Sequence, residues 1–332
     1  MYKILYKNVR NTKLKNLAEF RRGSWIYVEN PTHETLEDLA EKFQLDLGLL
    51  GDSQDLYEMP RIEREEGMIY IYTRFVLEEK LEQPPQTRKR KKLWKHSEIQ
   101  NKSQQKDKVQ TVPLLITIGK DFLLTITNKD CLPLKKFIKK TQNINTTQKT
   151  KLLLQILLNI NHEYNIQIHE ISRKIQNLGT EPEKVTTQDV IQFVEYERTL
   201  NDFLSSLIPT NLIFQRILHG KYLELYEEDE ELMEDLSLSN GQLIERTKST
   251  LKNIVNIREA YSTIMSEKLN KTMKALTSVT ILLTIPTLVF SFYGMNVQLP
   301  IEGEHLAYLW IFLSSLGIMA ILGWVFKKRN LI

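Results

Sequence analysis

Five hydroxyl residues recur through one apolar segment of this chain: Thr277, Thr280, Thr284, Thr287 and Ser291. Their alternating spacing of three and four residues puts all five oxygens on one face of a helix. Continued backward, the same rhythm reaches Met273 and Asn270; continued forward, it reaches Gly294. Such a stripe can do two things. It can let another helix approach closely and bond across the seam, or, repeated by symmetry-related copies, it can line a watery passage for an ion. Thr also returns its hydroxyl to its own backbone, so its presence in an apolar helix costs little. Three features weigh toward a passage. The stripe runs the full depth of the apolar segment, its helix continues far in the N-terminal direction, and its far end carries amide-bearing Tyr293-Gly294-Met295-Asn296 instead of a charge.

A second cluster is acidic. YEEDEELMED (226–235) places seven carboxylates within ten residues. Such a run is usually a solvated face, yet repulsion among clustered carboxylates is relieved by a hard divalent cation such as Mg2+. Softer ligands are sparse. The six His are scattered with no H-E-x-x-H, and His162-Glu163 and His169-Glu170 share one helix face as packing residues or a soft-metal site. Neither a G-x-x-x-x-G-K-[ST] nor a G-x-G-x-x-G loop is present, so no ATP, organic cofactor or enzymatic activity is expected. The basic run RKRKK (88–92) reads as a solvated loop that could also touch anionic lipid or nucleic acid, but no nucleic-acid-binding fold surrounds it and no nucleic-acid partner is expected.

The elements that must position these residues follow from patterning. The chain has 332 residues, with 45 Lys and Arg against 41 Asp and Glu, a small excess that says little about partners. Cys131 is the single cysteine, which excludes an intramolecular disulfide. The first twenty residues lack the apolar core of a signal peptide. Ala275–Tyr293 and Leu306–Phe326 are each close to the ~20 residues that span a bilayer. Lys268, Lys271 and Lys274 precede the first, Lys327-Lys328-Arg329 follow the second, and the connection holds Glu302 and Glu304 with no Lys or Arg. The positive-inside rule therefore puts both termini in the cytoplasm and the acidic connection outside.

Ahead of these segments, MYKILYKN, SWIYVEN and GMIYIYTRFVLEE read as strands, and TVPLLITIGKDFLLTITNK as a hairpin folded at Gly119-Lys120-Asp121. Pro31-Thr32 followed by Glu34 reads as a helix start. Residues 1–131 then form a mixed α/β domain, interrupted at 83–110 by a basic polar insertion poor in apolar residues. Residues 132–241 are helical, with helices over 152–178 and 186–208, the latter stopping near Pro209. A long helix follows over 242–293, then a loop at 294–305, a second membrane helix at 306–326 and a basic tail at 327–332. The fold class expected is an α+β cytoplasmic domain followed by a long helix continuous with the first of two C-terminal transmembrane helices.

Tyr-Gly-Met-Asn closing the first of two C-terminal membrane helices resembles the signature of the CorA family of divalent-cation transporters. GSWIYVENPTHE (23–34), MPRIE (59–63), GKDFLLTITN (119–128) and NKTMKALT (270–277) resemble further landmarks in the expected order, so the resemblance covers most of the chain apart from 83–110. It implies a funnel-shaped homopentamer in the bacterial cytoplasmic membrane whose first membrane helices line one pore. Gly294, Met295 and Asn296 would form the outer selectivity filter, a neutral ring meeting a hydrated ion. Asn270, Met273, Leu276, Thr277, Thr280, Thr284, Thr287 and Ser291 would line the passage, with Met273 and Leu276 as its apolar constriction. Glu302 and Glu304 would raise the local cation concentration. Asp52 and Asp235 match positions that bridge a regulatory Mg2+ between subunits, whereas a second such position falls near Ile168-His169 and carries no carboxylate. The resemblance thus implies influx of Mg2+, with Co2+ and Ni2+ as further cargo, driven by the membrane potential and closed by internal Mg2+. Two rival readings are a Zn2+ transporter of the same superfamily and a non-conducting membrane-bound divalent-metal sensor.

Overall fold

The computed structural model describes residues 2–10, 13–79, 108–139, 144–179, 183, 185–220, 222–223, 225–295 and 306–329. They fall into two compact units, one holding the sheet and its helices (Met1–Thr180 and Thr186–Val255), the other the short Glu181–Val185 segment and the helical segments from Asn256 onward.

The first unit is built on a sheet of seven strands: β1 (Tyr2–Tyr6), β2 (Lys15–Leu17), β3 (Ser24–Glu29), β4 (Arg61–Glu65), β5 (Met68–Glu79), β6 (Lys108–Ile118) and β7 (Phe122–Thr127). Their order is β2-β1-β3-β7-β6-β5-β4. Every neighbouring pair is antiparallel except β3–β7, where Trp25 lies beside Leu123 and Val28 beside Ile126. Strand β7, FLLTIT, is buried along its whole length. A strand that is apolar at successive positions must be covered on both faces, and this one is. On one face α1 (His33–Phe43) and α2 (Leu47–Asp52) pack Leu36, Leu39, Phe43 and Leu50 against Ile26, Tyr70, Tyr72 and Leu124. On the other lie α3 (Leu132–Lys139), α4 (Lys149–Gly179) and α5 (Thr187–Leu218), with Phe137 against Trp25 and Tyr164 edge-on to Phe203.

Local chemistry sets the helix boundaries. The Thr32 hydroxyl accepts from the Thr35 N–H and starts α1, and Thr186 and Asp189 form a reciprocal capping box that starts α5. Three expectations need correcting. The helix expected to stop near Pro209 continues to Leu218. The proline removes one backbone donor, but the Thr210 hydroxyl donates to the Ser206 carbonyl at 2.7 Å and the Asn240 amide to the Leu207 carbonyl at 2.9 Å. The acceptor freed by the proline is the Ser205 carbonyl, and these bonds engage the next two carbonyls and anchor the turn that continues past it. Second, Lys108–Gln110 are not part of an insertion: they pair with Leu77–Glu79 in the β5–β6 ladder, while 83–107 lies outside the described residues. Third, the long helix α6 spans Glu227–Tyr293 and therefore starts inside the acidic run rather than at Gln242. Its first turn holds Glu227, Glu228, Asp229 and Glu230, where carboxylates meet the unpaired N–H groups of a helix N-terminus.

The last helix, α7, spans Ala307–Lys328. It and α6 are the two described helices long and apolar enough to cross a membrane.

Candidate functional site

Within the second unit, α6 turns one face toward α7. Ser278 is buried on α6 and Ser315 on α7. A Cβ added at Gly323 would lie 3.9 Å from the Leu282 side chain, and Phe290 stacks on Phe312 with ring centroids 6.3 Å apart. The α6 residues of lowest exposure from 275 onward are Ala275, Ser278, Leu282, Ile285, Pro286, Val289 and Tyr293. At about 100° of rotation per residue, the mean direction of that set lies roughly 175° from the mean direction of Thr277, Thr280, Thr284, Thr287 and Ser291. The hydroxyl stripe and the α7 contact are on nearly opposite faces.

All the residues expected to line a passage, from Asn270 and Met273 to Ser291, are exposed. Met273 is 53 % exposed and Leu276 61 %. The Thr280 hydroxyl donates to the Leu276 carbonyl at 2.9 Å, Thr284 to Thr280 at 2.8 Å and Thr287 to Leu283 at 3.0 Å. With the donors so used, what these residues show outward is oxygen lone pairs. The helix ends at Tyr293, where the Gly294 N–H donates to the Phe290 carbonyl and the Met295 N–H to that of Phe292. A Cβ at Gly294 would come within 3.2 Å of the Phe290 oxygen, so the turn has little room for a side chain there. Asn296, Glu302 and Glu304 lie outside the described residues.

The acidic residues are on the first unit. Asp52 ends α2, and its Oδ2 accepts from Arg61 Nη2 at 2.7 Å. Arg61 also pairs with Glu58 and Glu63, and its guanidinium stands 4.0 Å over the Tyr72 ring. Burial works against that charge, but the bonds to Glu63 and Asp52 prevail and hold Arg61 above its ordinary pKa. Asp235 is exposed on α6. Among the described residues no hydrogen bond or ion pair joins it to Asp52, and no three His, Cys, Asp or Glu side chains gather as a metal site within one chain. Of the seven carboxylates in the acidic run only Asp229 is buried, and burial raises its pKa, with Lys151 opposing. The His162/His169 face holds no free ligand set either: Glu163 pairs with Lys136, Glu170 with Lys174, and His169 with Arg246.

One residue that sequence reasoning missed organises this surface. Arg74 is buried within β5 and donates from Nη1 to the Glu58 carbonyl at 2.6 Å and from Nη2 to the Leu56 and Thr111 carbonyls at 3.0 and 2.8 Å. It fixes the loop between Asp52 and Arg61. The signal was visible as a lone charge in the apolar strand IYIYTRFVL, since a buried guanidinium must find acceptors.

A mixed α/β unit, a long helix with a hydroxyl face and a second membrane-length helix beside it are the layout expected of a membrane protein of the ion-transport class. The chain belongs to the family described as CorA-like Mg2+ transporter protein, which matches residues 86–328. It is 24 % identical over 320 residues to the cobalt/magnesium transport protein CorA of Methanocaldococcus jannaschii, covering 92 % of this chain and 90 % of that one. The complete structure of the CorA magnesium transporter from that organism superposes with a TM-score of 0.82 at 22 % identity, over 100 % of this chain and 99 % of the other. The full-length CmaX protein has the same fold, with a TM-score of 0.70 at 13 % identity over 99 % and 97 % of the two chains. So does the cytoplasmic domain of ZntB from Vibrio parahaemolyticus, with a TM-score of 0.61 at 9 % identity over 80 % and 99 %.

Proposed function

We propose that this chain carries Mg2+, with Co2+ and Ni2+ as further cargo, across the cytoplasmic membrane through a pore that five copies form around α6. The observation that carries this reading is that the hydroxyl face of α6 is exposed and lies opposite the face that packs on α7. Packing on the chain's own second membrane helix therefore does not account for the stripe. Mg2+ gives up its water shell reluctantly, and the shell presents hydrogens outward. Thr hydroxyls whose donors are already committed to the backbone offer it acceptors. By resemblance Asn296 supplies a neutral acceptor at the outer mouth, next to a turn that Gly294 permits. Met273 and Leu276, apolar and exposed at the inner end, suit a constriction that closes by losing water.

The driving force is the membrane potential, worth ~2.3 kcal/mol per charge per 100 mV and doubled for a divalent ion. Inhibition from inside runs through Asp52 and Asp235. Asp235 is exposed and Asp52 partly so, and among the described residues no set of three ligands closes around either in one chain, which fits a cation bridging two copies and does not fit a closed cage. A bound cation there supplies charge neutralisation between neighbouring acidic surfaces. Asp52→Asn combined with Asp235→Asn is expected to abolish inhibition by internal Mg2+.

The test is ion entry into liposomes under a negative-inside potential, with internal Mg2+ held low. Wild-type protein should admit Mg2+ and Asn296→Ala should lose at least about tenfold of that rate, the scale of one lost filter contact. No entry by the wild type would leave a membrane-bound metal sensor as the account. Entry of Zn2+ in preference to Mg2+ would move the chain to the Zn2+ branch of the fold.

A further inference from the structure

We infer that Arg61 is a built-in competitor for the regulatory cation: it holds the Asp52 carboxylate when Mg2+ is absent and so sets how much Mg2+ is needed to close the protein. This rests on the reading of Asp52 as a sensor residue.

The geometry is specific. Each nitrogen of the Arg61 guanidinium faces a different carboxylate: Nη2 meets Asp52, Nη1 meets Glu58 and Nε meets Glu63. One positive charge is thus shared by three negative ones, which leaves the cluster net negative and attractive to a further cation. Arg61 cannot follow Asp52 if that side chain turns outward. Its flat face is fixed over the Tyr72 ring, and Arg74 pins the loop between the two residues through the Leu56 and Glu58 carbonyls. Asp52 therefore has two alternatives, the guanidinium or the ion. Its bond to Arg61 uses Oδ2. An ion taken by Oδ1 would still stand beside the guanidinium. Both side chains are partly exposed, so water screens the repulsion. In a water-like medium, a divalent ion about 5 Å from a unit positive charge is disfavoured by roughly tenfold in affinity.

The purified full-length chain, digested by protease across a Mg2+ series, reads cation binding without requiring flux. Arg61→Gln removes the charge and is expected to shift half-maximal protection to roughly tenfold lower Mg2+. Arg61→Lys keeps the charge and should stay near the wild type. Glu63→Gln, on the same edge strand, gives Asp52 a larger share of the guanidinium and should raise the Mg2+ requirement by roughly twofold to threefold; it serves as the second variant should Arg61→Gln fail to fold. Asp52→Asn behaving as the wild type would remove the sensor reading itself. Loss of protection in Asp52→Asn together with unchanged or weakened protection in Arg61→Gln would overturn the competitor role alone. With Arg61→Gln unfolded, a wild-type response from Glu63→Gln would overturn it equally.

Discussion

The two ends of α6 use the same residue to opposite effect. In the first unit Thr247 donates its hydroxyl to the Leu243 carbonyl at 2.7 Å and Thr250 to that of Arg246 at 2.8 Å, and both side chains are buried. Met233, Leu236 and Ile254 beside them are fully buried, and Asn240 reaches α5. Toward the other end Thr280, Thr284 and Thr287 make the same backbone bond, yet all three are exposed. Back-bonding makes Thr compatible with both places. What differs is the cover: α6 is folded into its own unit at one end, and at the other leaves a polar face that its own chain does not fill. A hydroxyl stripe in a membrane helix therefore acquires meaning from which face it occupies relative to the chain's own partner helix.

The largest contrast should come from truncating leucines. Leu236→Ala removes a wholly buried side chain and should cost ~2–5 kcal/mol in thermal unfolding of the detergent-solubilised protein. Leu288→Ala, 67 % exposed, should stay within about 0.5 kcal/mol of wild type. Equal losses would break the comparison by showing that both ends depend on cover. Replacing threonines sharpens it. Thr247→Leu overfills a packed position and should cost ~1–3 kcal/mol while leaving open-state flux per folded protein intact. Thr284→Leu should change stability by less than about 0.5 kcal/mol yet lower Mg2+ flux by at least about tenfold.

The smallest effect concerns Asp229, whose carboxyl pKa is raised above the ordinary aspartate range by burial. Its ionised form is disfavoured in the folded state, so its cost is absent while both states are protonated. The cost appears as pH rises from the ordinary aspartate range through the raised folded value, and is complete above it. Asp229→Asn should therefore gain stability at neutral pH and lose that gain as pH falls toward about 4. The gain should stay under about 1 kcal/mol, because the N-terminal turn of α6 itself favours a negative charge. Melting curves across that range check the sign.

Much of this was legible in sequence because it is local. Aromatic and β-branched runs gave β1, β3, β5 and the β6–β7 hairpin, and the three–four rhythm gave the hydroxyl face. Strand β4, Arg61-Ile62-Glu63-Arg64-Glu65, was not legible: it is an edge strand with little apolar alternation and pairs with β5 only. The parallel β3–β7 pairing joins segments about a hundred residues apart, which no local pattern encodes. The start of α6 was hidden because an acidic run reads as solvated surface, and the turn of α5 at Pro209 is met by Asn240 from another helix, a contact no local pattern shows. Arg61 was read only as part of MPRIE: Glu58 and Glu63 lie within three residues of it, but the turn that brings Asp52 back onto it is not a local pattern.

The central claim is that the face of α6 opposite α7 meets water and ions. Thr284→Cys and Leu282→Cys, each made in the full chain, place a thiol on the two faces in turn. Cys131 is buried, with its thiol pKa raised far above the usual range by desolvation, so native background labelling is low. A membrane-impermeant thiol reagent applied to the reconstituted protein should modify the thiol at 284 and block Mg2+ entry, and should leave the one at 282 unreacted. Modification at neither position in a protein that still conducts, or at 282 alone, would contradict the account.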